Sequence, residues 1–150
     1  MSATRWVLVG ILAMTIAIVT SATPVQTLHA QAKGANAPAE IYKDVYNGWK
    51  WWHVYCYRCH GTNAIATSVA PSLIDPGKRM SLPMFVSTAR NGRPAQGMQS
   101  WRKLLDNQQL AQIYVYVQAR TDKVLPPGRP DEVGPNHGPW VPPAGWPKRK

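Results

Sequence analysis

Polar and apolar positions alternate along this chain in three helical stretches separated by irregular segments. Ile41, Val45, Trp49, Trp52 and Cys56 recur every three or four residues, which predicts a helix from about Ala39 to Tyr55. Residues 61–78 lack such a period, contain Pro71 and the turn-like Asp75-Pro76-Gly77, and read as loop. Ser81 is placed to cap a second helix, with Pro83 in its first turn, Phe85 and Val86 facing inward, and Asn91-Gly92 as its stop. Residues 93–100 are again irregular and contain Met98. Asp106 with Gln109 three residues on forms a capping-box pattern, followed by the apolar face Leu110, Ile113, Tyr114 and Val117, which fades near Thr121. From Leu125 the pattern ends: eight prolines lie between Pro126 and Pro147, predicting an extended, partly polyproline-like segment, loose or laid over the surface. The fold class expected is all-α.

The N-terminus changes the picture. A short start carrying Arg5 precedes an almost continuously apolar run, Trp6–Val19, and then small and polar residues ending in Ala30-Gln31-Ala32. This is the three-part pattern of a secretory signal, with cleavage expected after Ala30 or Ala32. The apolar run is short for a membrane span, which needs roughly 20 residues. The organisation expected is a signal at 1–30, a flexible leader at 31–39, a domain at 40–124 and a Pro-rich basic tail at 125–150. Export to the periplasm makes nucleic acid an improbable partner for the net charge of +10. Removing residues 1–30 takes away Arg5 alone and leaves +9.

Export also puts the two cysteines in an oxidising compartment, where a pair is ordinarily a disulfide. Their spacing argues otherwise. Cys56-Tyr57-Arg58-Cys59-His60 is the Cys-x-x-Cys-His signal of c-type haem attachment. Two thiols three positions apart can bond to the two vinyl groups of one haem, and the following histidine is delivered to the iron as an axial ligand. A zinc site would want four protein ligands, and the chain has two cysteines. A thioredoxin-like pair would want a βαβ context, and a disulfide across two residues would constrain little. Candidates for the second axial ligand are Met80, Met84, Met98, His53 and His137. Met98, in a glycine-flanked loop far from His60, is the preferred one, with His137 or an open site as alternatives.

These residues resemble the class I cytochrome c family over about Ile41–Thr121. Gly48 and Trp52 stand where family members carry a glycine and an aromatic in the first helix, and Tyr116 matches the aromatic that crosses that glycine. Gly61 follows the motif as usual. Ala70-Pro71-Ser72-Leu73 is similar to the loop whose proline carbonyl accepts the hydrogen bond of the proximal imidazole, and Asn91-Gly92 with Gly97-Met98 is similar to the axial-methionine loop. Gln99 departs from the proline common after that methionine, while Trp101 is in keeping. The resemblance implies one covalently held haem c bound by Cys56, Cys59, His60, Pro71 and Met98, enclosed by three or more helices and loops.

Tyr46-Asn47-Gly48-Trp49, Ala119-Arg120 and 125–130 further resemble small cytochromes that accept electrons from pyrroloquinoline-quinone (PQQ) alcohol dehydrogenases. That implies an electron carrier, not an enzyme, passing single electrons from such a dehydrogenase toward a terminal oxidase or another cytochrome. Lys78, Arg79, Arg90, Arg93, Arg102 and Lys103 are expected around the Met98 side, meeting an acidic partner. Other readings are an open-site haem sensor or peroxidase-like protein, a carrier for a different dehydrogenase, and a membrane-tethered oxidase subunit. The aromatic run Trp49, Trp51, Trp52, Tyr55 and Tyr57 is read as packing. Trp140 and Trp146 leave open whether the tail clasps a partner or covers its own domain.

Overall fold

The computed structural model describes residues 25–147, with side chains from residue 38 onward. Four α-helices form the described chain: α1 (Val25–Tyr55), α2 (Tyr57–His60), α3 (Leu82–Asn91) and α4 (Asn107–Thr121). Single 3₁₀ turns lie at Pro76–Lys78, Pro94–Gln96 and Pro135–His137.

α1 starts earlier than the hydrophobic pattern implies, so the leader expected to be flexible at 31–39 is helical. Its alanines and glutamines are good helix formers. Pro38, inside the helix, has no N–H to give to the backbone ladder. The charged start and apolar run of the expected signal lie outside the described residues.

The other helix ends follow the predicted chemistry. The Ser81 hydroxyl accepts from the Met84 N–H, and Gly92 at φ 70° ends α3. At α4, the Asp106 carboxylate accepts from the Gln109 N–H at 2.7 Å while the Gln109 side chain accepts from the Asp106 N–H at 2.9 Å. Such reciprocal bonds satisfy donors that a helix start otherwise leaves unpaired.

The core is the crossing of α1 and α4, closed on one side by α3. At the crossing, a Cβ on Gly48 would stand 2.0 Å from the Gln112 carbonyl oxygen, so backbone meets backbone there. The atoms nearest this glycine are those of the Gln112–Ile113 backbone, and Tyr116, the aromatic the resemblance assigns to the crossing, is buried there and packs against Trp52 at 5.9 Å between ring centroids. Val45, Trp52, Leu110, Ile113, Tyr116 and Val117 are buried around the crossing. The buried Gln112 amide is held at both ends, accepting from Trp51 Nε1 at 3.3 Å and donating to Asp44 at 3.1 Å. α3 joins through Phe85, 5.5 Å from the Tyr114 ring, while Val86 is only partly buried.

The tail covers its own domain. Leu125, Pro130, Trp140 and Trp146 are buried. Trp140 Nε1 donates to the Val124 carbonyl at 2.8 Å, Trp146 Nε1 to Asp122 at 2.9 Å, and the two indoles meet edge to face at 5.7 Å. The Arg120 guanidinium, buried and with its pKa lowered by that burial, donates to the Leu125 carbonyl at 2.6 Å and fixes the tail's first turn. Both tryptophans are therefore used within the chain and do not project toward a partner.

Candidate functional site

The end of α1 runs through Cys56 into the short α2, which places Cys56 and Cys59 one helical turn apart with His60 directly after them. The two cysteines are not bonded to each other; Cys56 is half-buried and Cys59 exposed. Burial, helped by the neighbouring Cys59, pushes the Cys56 thiol up to about 12. A redox-active pair needs the reverse, a depressed thiol.

Gly61 ends α2 at φ +79°, where a Cβ would stand 2.3 Å from the Ile65 carbonyl oxygen, so only glycine fits this reversal. Trp52 Nε1 donates to the Gly61 carbonyl at 2.9 Å. The loop beyond curls back beside the imidazole. His60 Nδ1 lies 3.0 Å from the Pro71 carbonyl oxygen. A carbonyl can only accept, so Nδ1 carries the hydrogen and Nε2 keeps its lone pair for a metal. Thr67, which the sequence reading passed over, ties this loop down. Its hydroxyl donates to the Cys59 carbonyl and accepts from the Val69 N–H at 3.2 Å, and its own N–H donates to Ala70 at 3.0 Å. A threonine two residues before a valine in a loop carries only the weak signal of a local hydroxyl turn.

Met98 is placed by a tight loop. Arg93 and Met98 exchange backbone hydrogen bonds at 2.7 and 3.1 Å across the Pro94–Gln96 turn, with Gly97 left-handed at φ 80°. Gly92 is packed so that a Cβ would stand 2.6 Å from the Met98 carbonyl oxygen. The Trp101 N–H then donates to the Ala89 carbonyl at 3.1 Å, stitching the loop to α3.

These segments enclose one largely apolar cavity of about 560 Å³, with Cys56, Cys59, His60, Pro71 and Met98 all in its wall. Leu73, Phe85, Leu105, Leu110 and Ile113 supply apolar lining. Met80 is in the wall too, while Met84 is exposed and outside it. His53 and His137 do not reach the cavity. His53 Nδ1 sits 2.8 Å from the Trp49 carbonyl, and His137 lies exposed in the tail's 3₁₀ turn. Among the described residues no group of three His, Cys, Asp or Glu side chains converges as a zinc site requires.

Residues 43–117, half of the chain, match the sequence profile of the family described as "Cytochrome C oxidase, cbb3-type, subunit III". The chain belongs to this cytochrome c family. The cytochrome is thus an all-α electron-transfer protein carrying covalently bound haem c. Among solved structures it is similar to the c-type cytochrome XoxG from Methylobacterium extorquens AM1, with a TM-score of 0.53 and 27% identity, covering 58% of this chain and 56% of that one. The chain therefore spans a little over half the length of that relative. A search of curated proteins returned no match.

The basic cluster read from the sequence divides in two. Arg93 lines the cavity together with Arg58 inside the motif. Arg79 instead turns back to the domain, pairing with Asp122 at 2.5 Å and Gln118 at 2.8 Å, and this pairing holds its pKa above the usual arginine value. Arg90 donates to Asn107 at 2.9 Å and Arg102 to Asn91. Val54 and Val69, 57% and 68% exposed, add apolar surface at the cavity's rim. Among the described residues no helix is long and apolar enough to cross a membrane.

Proposed function

We propose that this cytochrome carries single electrons in the periplasm on one haem, bonded through Cys56 and Cys59, with His60 and Met98 as the iron's axial ligands. It takes the electrons from a PQQ-dependent alcohol dehydrogenase and passes them toward a terminal oxidase. The observation that carries this reading is the shared wall of one cavity: a histidine whose Nδ1 is bound to the Pro71 carbonyl, two thiols one turn apart, and a methionine held in a rigid loop. This donor set fits a c-type haem, which supplies the ferric–ferrous couple when bound. The chain's own residues orient the imidazole, exclude water with apolar lining, and present a rim of Arg58, Arg93, Val54 and Val69. The residues shared with small PQQ-linked cytochromes, Tyr46–Trp49 and 125–130, support that donor. The proposed organisation keeps a signal removed after Ala30 or Ala32, a haem domain to residue 124, and a tail that belongs to the same packed body.

The ligand assignment is tested by the near-infrared sulfur-to-iron band of the oxidised protein. The band is expected in the wild type and in Met80→Ala, and absent in Met98→Ala, which will bind carbon monoxide once reduced. A band that survives Met98→Ala and vanishes in Met80→Ala would move the ligand to Met80.

The partner is tested by the rate at which candidate dehydrogenases reduce the cytochrome as salt is raised. Between ~10 mM and ~150 mM salt the screening length falls from about 30 Å to about 8 Å. A basic rim meeting an acidic partner then predicts a loss of roughly tenfold or more in the second-order rate. A salt-independent rate would remove the acidic docking surface from the proposal.

The family description, an oxidase subunit, supports a second placement in which the leader is retained as a tether. N-terminal sequencing of the exported protein separates the two: a start at Gln31 or Lys33 is the shuttle, and an intact apolar run is the tethered form.

A further inference from the structure

The last two residues of the attachment motif, Cys59 and His60, are tied to two consecutive residues of the returning loop, Ala70 and Pro71. One tie is direct, the 3.0 Å bond between His60 Nδ1 and the Pro71 carbonyl. The other runs through Thr67. Its hydroxyl donates to the Cys59 carbonyl, and its N–H donates to the Ala70 carbonyl at 3.0 Å. The same hydroxyl oxygen accepts from the Val69 N–H at 3.2 Å, closing the turn that leads to Ala70. Downstream, the Leu73 N–H donates to the carbonyl of the buried Ala64 at 3.1 Å. The Pro71 carbonyl is thus pinned from both sides. Cys59, Val69, Ala70 and Pro71 line the cavity, whereas Thr67 is exposed and stands outside its wall. The Thr67 methyl carbon lies 3.6 Å from where a Cβ of Gly61 would stand.

We propose that Thr67 is a positioning residue for electron transfer: it holds the Pro71 carbonyl against His60 and thereby lowers the reduction potential of the haem. The inference rests on the proposed ligation of the iron by His60. A hydrogen bond from Nδ1–H to a carbonyl makes the imidazole more basic at Nε2. A more basic ligand stabilises ferric iron more than ferrous iron, so the potential falls. The strength of that bond depends on its length and alignment. His60 follows Cys59 in the chain and Pro71 follows Ala70, and Thr67 bonds to both of those neighbours. It therefore sets how closely the imidazole and its acceptor are held. Standing outside the cavity wall, it acts through the groups it holds. The end of α2 adds a local reason for the brace. The last carbonyls of a helix have no partner within it, and the Thr67 hydroxyl supplies one to Cys59. A role confined to stiffening the loop predicts a change in stability, with no change in potential while both axial ligands stay bound.

The test uses the haem-loaded full chain as wild type, Thr67→Val and Thr67→Ser. Valine keeps the methyl beside Gly61 and removes the hydroxyl, whereas serine keeps the hydroxyl and removes the methyl. Thr67 is exposed, so neither change disturbs the core. Each protein is equilibrated at the solution potential that leaves the wild type half reduced, and the ferrous-to-ferric ratio is read from its optical spectrum. The ratio is expected to rise several-fold in Thr67→Val and to stay near the wild-type value in Thr67→Ser, with the near-infrared sulfur-to-iron band retained in both oxidised variants. The His60 Nδ1 proton, followed by NMR in the ferrous protein, is expected to exchange with deuterated water faster in Thr67→Val alone. An unchanged ratio in Thr67→Val would overturn the proposal, as would an equal rise in both variants. Loss of the band or of haem uptake in Thr67→Val would overturn it too, since Thr67 would then support the ligand set or the fold as a whole. A wild type with no haem absorbance would count against the carrier reading itself, whereas a haem-loaded wild type matched in potential by Thr67→Val sinks the Thr67 proposal alone.

Discussion

In a variant carrying both Cys56→Ala and Cys59→Ala, haem is expected to part completely from the polypeptide under denaturing conditions. Haem-dependent peroxidase staining on a denaturing gel reads this directly: strong for the wild type, reduced for either single variant, and absent for the double. The reason is the placement of the two sulfurs. They occupy one helical turn at the edge of the cavity, and no other cysteine exists in the chain to replace them. Alanine leaves the helix propensity intact or better, so a loss of stain cannot be laid to an unfolded α1. The single variants also rank the two bonds. Cys56 is the more buried thiol, held against apolar lining, and Cys59 sits in the open. Full retention of haem in the double variant would remove the attachment assignment.

Gly48→Ala is expected to be the most damaging small substitution at the helix crossing. A methyl group would have to occupy a point 2.0 Å from the Gln112 carbonyl oxygen and 2.5 Å from its carbon. Neither neighbour is a flexible side chain, so α1 and α4 must move apart. Separation loosens Val45, Trp52, Ile113 and Tyr116 together. Alanine is ordinarily the better helix former by about 1 kcal/mol. That gain is outweighed here, and a net loss of about 3 kcal/mol is expected, at the upper end for an overpacked core. Denaturant unfolding of the haem-loaded protein measures it. A variant as stable as the wild type would mean that the helices do not touch at this residue.

Much of this architecture could be read from residues acting locally. Ser81, Gly92 and the Asp106–Gln109 pair mark helix ends because caps are made within one turn of chain. The attachment motif is equally local, and Pro71 and Met98 followed from a resemblance in loops. What escaped the sequence depends on contacts between distant segments. Periodicity marked a face of α1, but it could not show that Gln112 lies over Gly48, nor that Tyr116 belongs to Trp52. The start of α1 was missed because a glycine- and proline-containing leader suggests a break that the chain does not make. Thr67 was missed because a hydroxyl in a loop has no distinguishing pattern until its acceptor, the Cys59 carbonyl, is known. The basic cluster was half legible: lysines and arginines are easy to count, but the attachment of Arg79 to Asp122, 43 residues away, is a tertiary fact.

The tail's docking bears on the order in which the molecule assembles. Gly128 bonds to Asn63 across a separation of 65 residues, and Arg129 reaches back to Trp49. Closing such long loops is slower than forming contacts within α1 or α4, because more chain entropy is lost before any contact forms. Trp140 and Trp146, by contrast, meet Val124 and Asp122 across only 16 and 24 residues, while the α1–α4 contact of Asp44 with Gln112 closes 68, so the tail's indoles can settle on the end of α4 before the crossing forms and report an early step through their fluorescence.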